Sequence, residues 1–227
     1  MDYVERGAGK VLWRRADRRG WSPGRRRFAR VATNAAVRTP RLWAALRPLV
    51  RGLFDAAAPR WDSLRLADTF LPYESALASV EPAPKRALDL GTGTGYGAFL
   101  LARRFPEAAV VGADLSDKML EQAQLNTPEE LRDRVAFQRA DASKLPYGDE
   151  EFDLVAHANM IPFFDEVARV VTPGGHVLFA YSSGAQTPIY VPADRLRSEL
   201  EQRGFTEFAT FDAGRGTALL ARKGKAA

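Results

Sequence analysis

The segment from Leu88 to Gly97 constrains the fold more than any other part of the chain. It reads Leu-Asp-Leu-Gly-Thr-Gly-Thr-Gly-Tyr-Gly, so an acid in an apolar run is followed by a glycine at every second position. Glycine adopts positive φ at low cost and lets backbone N–H groups approach a ligand closely. A helix that begins after such a turn adds its own unpaired N–H groups. The segment therefore predicts a strand, a ligand-binding turn and a helix.

Two kinds of nucleotide cofactor fit the glycine segment alone, because residues 93–98 also satisfy the dinucleotide pattern that ends in alanine. The acids that follow favour one of them. Asp114 ends a second apolar run and is predicted to accept hydrogen bonds from ribose hydroxyls. Asp141 ends a third run and is predicted to accept one from the amine of adenine. Dinucleotide enzymes have no fixed need for that third acid.

Each of these positions also has a purely structural interpretation. Gly91 and Gly93 would serve a tight turn, and Asp114 would cap the helix that begins near Ser116. Asp141 would bind its own backbone in an Asx turn. We favour ligand binding because the three acids occur in order at predicted strand ends.

With this ordered set, the chain resembles the class I methyltransferases that use S-adenosylmethionine, over roughly residues 53–223. The family pattern has an acid and a glycine loop after strand one, a ribose acid after strand two and an adenine acid after strand three. It also has a Pro-Gly-Gly turn before strand five, which Pro173–Gly175 matches. The lead-in Leu53–Asp62 is similar to that of the ubiquinone and menaquinone biosynthesis methyltransferases. The resemblance implies S-adenosylmethionine as cofactor and methyl transfer by in-line displacement to a small-molecule or lipid-like acceptor.

The predicted fold is α/β, with a doubly wound, Rossmann-like seven-stranded sheet, a C-terminal antiparallel hairpin and a helical N-terminal extension. Parallel strands are predicted near residues 86–90, 109–114, 135–140, 152–157 and 176–182, and the hairpin over 205–212 and 217–222. Residues 1–65 would form the extension and residues 66–227 the methyltransferase domain.

The predicted site residues lie at the carboxyl ends of the strands, where open α/β sheets bind ligands. The resemblance assigns the cofactor to Asp89, Gly91, Thr92, Gly93, Gly95, Asp114, Leu115, Met119, Asp141, Ala142 and His157. His157 is also the candidate general base, needed only if the acceptor must lose a proton; a packed imidazole is the alternative. Tyr73, Phe163, Phe164 and Tyr181 are predicted to bind the acceptor. No metal site is predicted.

The N-terminal extension carries most of the positive charge. Residues 1–65 hold 16 Lys and Arg against 5 Asp and Glu, whereas the remainder holds 17 against 23. All four tryptophans, Trp13, Trp21, Trp43 and Trp61, lie there too. This composition fits a lid or docking arm with peripheral membrane contact, and it fits a solvated extension as well. The sequence shows no apolar stretch of about 20 residues and no signal peptide, so we expect a cytoplasmic protein.

Two other functions stay open at this point. The basic arm would suit an RNA or other nucleic-acid methyltransferase, but Ala158–Phe163 does not follow the Asn-Pro-Pro-aromatic signature of base-amino methyltransferases. The chain could also be a non-catalytic, S-adenosylmethionine-binding partner subunit.

Overall fold

The computed structural model describes residues 43–225 together with Gly24, Ala29–Val31 and Thr33 of the preceding segment. Most of the basic arm, including Trp13 and Trp21, lies outside the described residues. Whether the chain divides at residue 65 stays a prediction. None of the described helices is both long and apolar enough to cross a bilayer.

The described chain alternates strands and helices. The strands are β1 Arg86–Leu90, β2 Ala109–Asp114, β3 Val135–Arg139, β4 Phe152–Ala158, β5 Val171–Tyr181, β6 Phe205–Ala213 and β7 Gly216–Lys223. The helices are α1 Trp43–Ala57, α2 Leu71–Leu77, α3 Tyr96–Arg104, α4 Asp117–Asn126, α5 Phe164–Val170 and α6 Ala193–Glu201. Short 3₁₀ turns occur at Ala58–Arg60, Asp62–Leu64, Glu129–Leu131 and Gly184–Gln186.

The seven strands form one sheet in the order β3-β2-β1-β4-β5-β7-β6. The first five are parallel, while β7 runs antiparallel to both β5 and β6. The predicted seven-stranded sheet with a C-terminal hairpin is confirmed. The chain moves outward from β1 to β3 and then returns to β4, so the strand order reverses between β1 and β4. Ligands of such sheets bind in the crevice at the carboxyl ends of the strands flanking this point.

Strand β5 begins five residues earlier than the sequence predicts. Val171 already pairs with Phe152, and the register then shifts before His176 pairs with Leu154. The Pro-Gly-Gly segment fills this irregularity, with Gly174 at φ +78°. What reads as a turn before a strand is therefore a bulge inside one, because the strand is paired on both sides of the glycines.

Alternate residues of the central strands face two apolar layers, as the strand period requires. One layer contains Leu88, Val155 and Phe179, and the other contains Leu154 and Leu178. Helix α1 covers the first layer. Its Trp43 is buried, and its Leu46 and Val50 pack against the same layer at helical spacing. Helix α1 belongs to the predicted helical N-terminal extension and has Pro48 inside it.

Candidate active site

The glycine loop between β1 and α3 adopts the backbone that its sequence predicts. Gly91, Gly93 and Gly95 have φ of +73°, +54° and +91°. Residues other than glycine rarely adopt these φ values. The N–H groups of Gly91 and Thr92 donate to the carbonyl of Ala113 at 2.8 and 3.0 Å, which fixes the loop to the end of β2.

Asp89 lies buried beneath this loop and holds it from below. Its carboxylate accepts hydrogen bonds from Thr92 Oγ1 at 2.6 Å and from the hydroxyl of Tyr73 at 3.2 Å. Burial raises the pKa of Asp89 to about 6, although the hydrogen bonds from Thr92, Tyr73 and the Ala98 N–H oppose the shift. Asp89 therefore organises the loop from the interior of the protein.

The raised pKa of Asp89 makes stability depend on pH. Unfolded Asp89 releases its proton near its ordinary pKa of 3.8, whereas folded Asp89 holds it until about 6. Its contribution to the free energy of unfolding is thus full below about pH 4 and is lost as pH rises to about 6, by about 3 kcal/mol. We expect Asp89→Asn to lose this decline when unfolding is measured in urea between pH 4 and 7.5. Asp133→Asn, which removes an exposed carboxyl, should keep it; a decline that persists in Asp89→Asn would contradict the assignment.

Asp114 ends β2 and connects two backbone segments of the site. Its Oδ2 accepts the N–H of Gly93 and its Oδ1 accepts the N–H of Ser116, both at 2.9 Å. Burial raises its pKa while these hydrogen bonds oppose the shift. The N-cap of α4 is Ser116, whose Oγ accepts the N–H of Met119, so Asp114 is not the cap. A carboxylate has about four lone-pair positions, and one hydrogen bond per oxygen leaves Asp114 able to accept from a ligand.

Asp141, by contrast, accepts hydrogen bonds from four donors. Its Oδ1 accepts from the N–H and Oγ of Ser143, at 3.0 and 2.8 Å. This is the Asx turn of the structural interpretation of Asp141. Two more donors come from α1: Trp43 Nε1 reaches Oδ1 and an Arg47 guanidinium nitrogen reaches Oδ2, each at 2.8 Å. Burial raises the pKa of Asp141, but the hydrogen bonds from Arg47, Ser143 and Trp43 outweigh it and leave the pKa below its usual value.

The lead-in after α1 lies against the glycine loop. Asp62 accepts hydrogen bonds from Thr94 Oγ1 at 2.7 Å and from Asn126 Nδ2 at 2.9 Å. The Trp61 indole lies so close that a Cβ on Gly93 would be 3.3 Å from its Nε1. Two shallow clefts of about 230 and 260 Å³ share Asp62, Arg65 and Tyr96 in their walls. The lead-in thus positions the loop and borders open space beside it.

His157 lies in β4 within the apolar layer that α1 covers. It is 2% exposed, and its ring meets that of Phe179 edge-on with centroids 4.0 Å apart. Its Nε2 has no hydrogen-bond partner among the residues that the structure describes. Burial lowers the pKa of His157 to about 3, which makes it a weak proton acceptor near neutral pH. The geometry matches a packed imidazole, and the roles of His157 in cofactor binding and base catalysis stay predictions.

The four predicted acceptor residues do not come together in one pocket. Phe163, Phe164 and Tyr181 belong to the layer under α1, whereas Tyr73 lies in the layer on the opposite face of the sheet. Tyr73 is fully buried and is bound to Asp89. The sequence could not separate these residues, because which face a side chain takes depends on packing between distant elements. Their contact with an acceptor stays a prediction.

The remaining predicted cofactor residues follow Asp114 and Asp141 in the chain. Leu115 packs against the layer under α1, Ala142 is buried beside Asp141, and Met119 is buried in α4. The structure also adds residues that the sequence did not assign to the site. These are Trp43, Arg47, Asp55, Asp62 and Met160, of which Asp55 and Asp62 belong to the lead-in segment that carried the family resemblance.

The core of the chain is similar in sequence to known methyltransferases. Residues 87–175 match the family described as a methyltransferase domain. The demethylmenaquinone methyltransferase of Thermus thermophilus is 40% identical over 139 residues, which are 56% of this chain and 62% of that protein. The malonyl-(acyl-carrier protein) O-methyltransferase of Halorhodospira halophila is 36% identical over 146 residues, 59% of this chain and 48% of that protein. The chain spans about half to three fifths of the length of these relatives.

Solved structures with this fold differ in activity. An S-adenosylmethionine-dependent methyltransferase from Aquifex aeolicus has a TM-score of 0.53 at 18% identity, covering 61% of this chain and 81% of that chain. The (4+2)-cyclase SpnF has a TM-score of 0.63 at 19% identity, covering 78% and 96%. At these identities the likeness shows the fold alone.

Proposed function

We propose that this chain, whose core is a class I S-adenosylmethionine-dependent methyltransferase domain, transfers a methyl group to a small-molecule or lipid-like acceptor. One observation carries the proposal. The carboxylates of Asp89, Asp114 and Asp141 stand at the carboxyl ends of adjacent strands β1, β2 and β3, around a loop of positive-φ glycines. Relatives named as methyltransferases of demethylmenaquinone and of malonyl-(acyl-carrier protein) favour a small or lipid-like acceptor.

The residues of the site fit the cofactor group by group. Asp114 keeps acceptor capacity for ribose hydroxyls, because each of its oxygens takes one backbone N–H. The glycine loop would hold the carboxylate-bearing part of the cofactor, since it leads into the start of α3 and its glycines have no Cβ of their own. Asp141 would accept a hydrogen bond from the adenine amine. Bound S-adenosylmethionine would supply an activated methyl group on a sulfonium.

The protein's contribution to the reaction would be alignment and exclusion of water. A sulfonium cofactor would release a neutral thioether, so this chain would need no acid residue to assist departure. A dry site would favour a reaction in which positive charge is dispersed. The apolar layer under α1, with Trp43 and Phe163 in edge-to-face contact at 5.1 Å, supplies such surroundings beside the strand ends. The proposal needs no charged histidine, consistent with the low pKa of His157.

The function is tested by binding and by transfer. In calorimetry we expect S-adenosylmethionine and its demethylated product to bind, and NAD not to bind. The protein would then be incubated with methyl-labelled S-adenosylmethionine and fractionated lysate, and label is expected in the small-molecule or lipid fraction. Comparable binding of NAD would contradict the cofactor assignment. Label in RNA would favour the nucleic-acid alternative, and binding without transfer would favour the partner-subunit alternative.

We propose further that the basic N-terminal extension serves as a lid or docking arm for the acceptor. Its support is the excess of Lys and Arg together with tryptophan before residue 65. Peripheral membrane contact belongs to the same proposal.

A further inference from the structure

We propose that Trp43 and Arg47 of α1 compete with the cofactor's adenine for Asp141. Their hydrogen bonds to Asp141 would lower the affinity for the cofactor for as long as they are intact. The inference rests on the proposed function, since it takes Asp141 as the adenine-reading carboxylate. It concerns residues far from the glycine loop in sequence, which the family pattern does not assign to the site.

Asp141 already accepts hydrogen bonds from the protein itself. Its Oδ1 accepts from Trp43 and from both Ser143 donors, its Oδ2 accepts from Arg47, and its side chain is only 15% exposed. Two donors belong to Ser143, two residues along the chain, where the Asx turn holds them in place. The two from α1 are the ones that a ligand amine can replace. Adenine would therefore approach this largely covered carboxylate only as Trp43 or Arg47 gives way.

The two strand-end acids differ in this respect. Asp114 is bonded by backbone N–H groups of Gly93 and Ser116, which belong to the cradle itself. Asp141 is bonded by side chains of a separate element that packs over the site. Asp114, the predicted ribose acceptor, is thus held by the loop that would bind the ligand. Asp141, the predicted adenine acceptor, is held by donors from α1.

The two competing side chains are held with unequal strength. Trp43 is 6% exposed and packs its ring on Phe163, so moving it exposes a large apolar surface. The Arg47 side chain is 48% exposed, and solvent weakens its ion pair with Asp141. Trp43 therefore carries most of the competition, and removal of its N–H alone should reveal it.

The test measures binding of the demethylated cofactor product, S-adenosylhomocysteine, by calorimetry on the full chain. Trp43→Phe keeps an aromatic ring in the layer and removes the N–H donor, while Arg47→Met removes the guanidinium. We expect Trp43→Phe to bind about tenfold more tightly than the unaltered chain, the scale of one hydrogen bond to a charged group. Arg47→Met should tighten binding less, and the double variant more than either. Arg132→Met is the control, because it removes the same charge from an exposed side chain that precedes β3 and lies away from α1; its affinity should stay unchanged.

A gain in affinity is a demanding result, because damage to the fold lowers affinity and cannot imitate it. Unchanged or weaker binding in Trp43→Phe, with measurable binding by the unaltered chain, would overturn the competition and make Trp43 part of the adenine pocket. An equal gain in Arg132→Met would also overturn it in favour of a general charge effect. If neither the unaltered chain nor the double variant bound the product, the cofactor assignment itself would fall, and this inference with it.

Discussion

Replacing Asp114 with Ala is expected to weaken binding of S-adenosylmethionine by about 1–3 kcal/mol, or roughly 5- to 150-fold. The carboxylate accepts the N–H groups of Gly93 and Ser116, so its loss leaves two buried donors unpaired and loosens the glycine loop from α4. A bound ribose would lose its acceptor as well. Calorimetry measures the loss directly, and the melting temperature separates it from unfolding.

The matched control for Asp114→Ala is Asp117→Ala. Asp117 carries the same charge three residues on, but it is about half exposed and pairs with Arg139 at 3.4 Å. Its replacement should change affinity little. If the two variants bound the cofactor equally well, Asp114 would have no specific role with the ribose.

Gly97→Ala is expected to destabilise the protein by about 1–3 kcal/mol, as overpacking of a buried site does. A Cβ at this position would lie 2.6 and 2.7 Å from the two carboxylate oxygens of Asp89. Asp89 cannot withdraw without breaking its bonds to Tyr73 and Thr92. Urea unfolding at neutral pH measures the effect, and cofactor binding should weaken in parallel because the loop rests on Asp89.

Gly52→Ala provides the comparison for Gly97→Ala. Gly52 lies inside α1, and beyond its chain neighbours and the helix backbone no atom lies within 4 Å of an added Cβ, so alanine should stabilise the helix by about 0.5–1 kcal/mol. The two substitutions make the same chemical change with opposite expected signs. A destabilisation of similar size at both positions would mean that contact with Asp89 is not the cause at Gly97.

The sequence predicted the parts of the site that depend on neighbouring residues. The glycine loop follows from local backbone preference, and the positions of Asp89, Asp114 and Asp141 follow from parallel strands that share one edge. The bulge in β5 was not predicted, because the pairing of Val171 with Phe152 depends on register between strands rather than on the local Pro-Gly-Gly chemistry.

Contacts between distant segments could not be predicted in the same way. Trp43 and Arg47 lie 98 and 94 residues from Asp141 in sequence, and only the packing of α1 on the sheet brings them together. The burial of His157 also depends on contacts between distant segments. Its place at the end of β4 suggested a base, but the ring of Phe179 and the layer under α1 surround it.

The glycine loop has a consequence for the speed of association. A Cβ on Gly91 would lie 2.8 Å from Met160 Sδ, and one on Gly93 would lie 3.3 Å from Trp61, so the protein's own side chains lie against the cradle. A ligand that enters must wait for these groups to move aside. The observed rate of association should therefore level off at high cofactor concentration, at a limit set by internal motion rather than by diffusion.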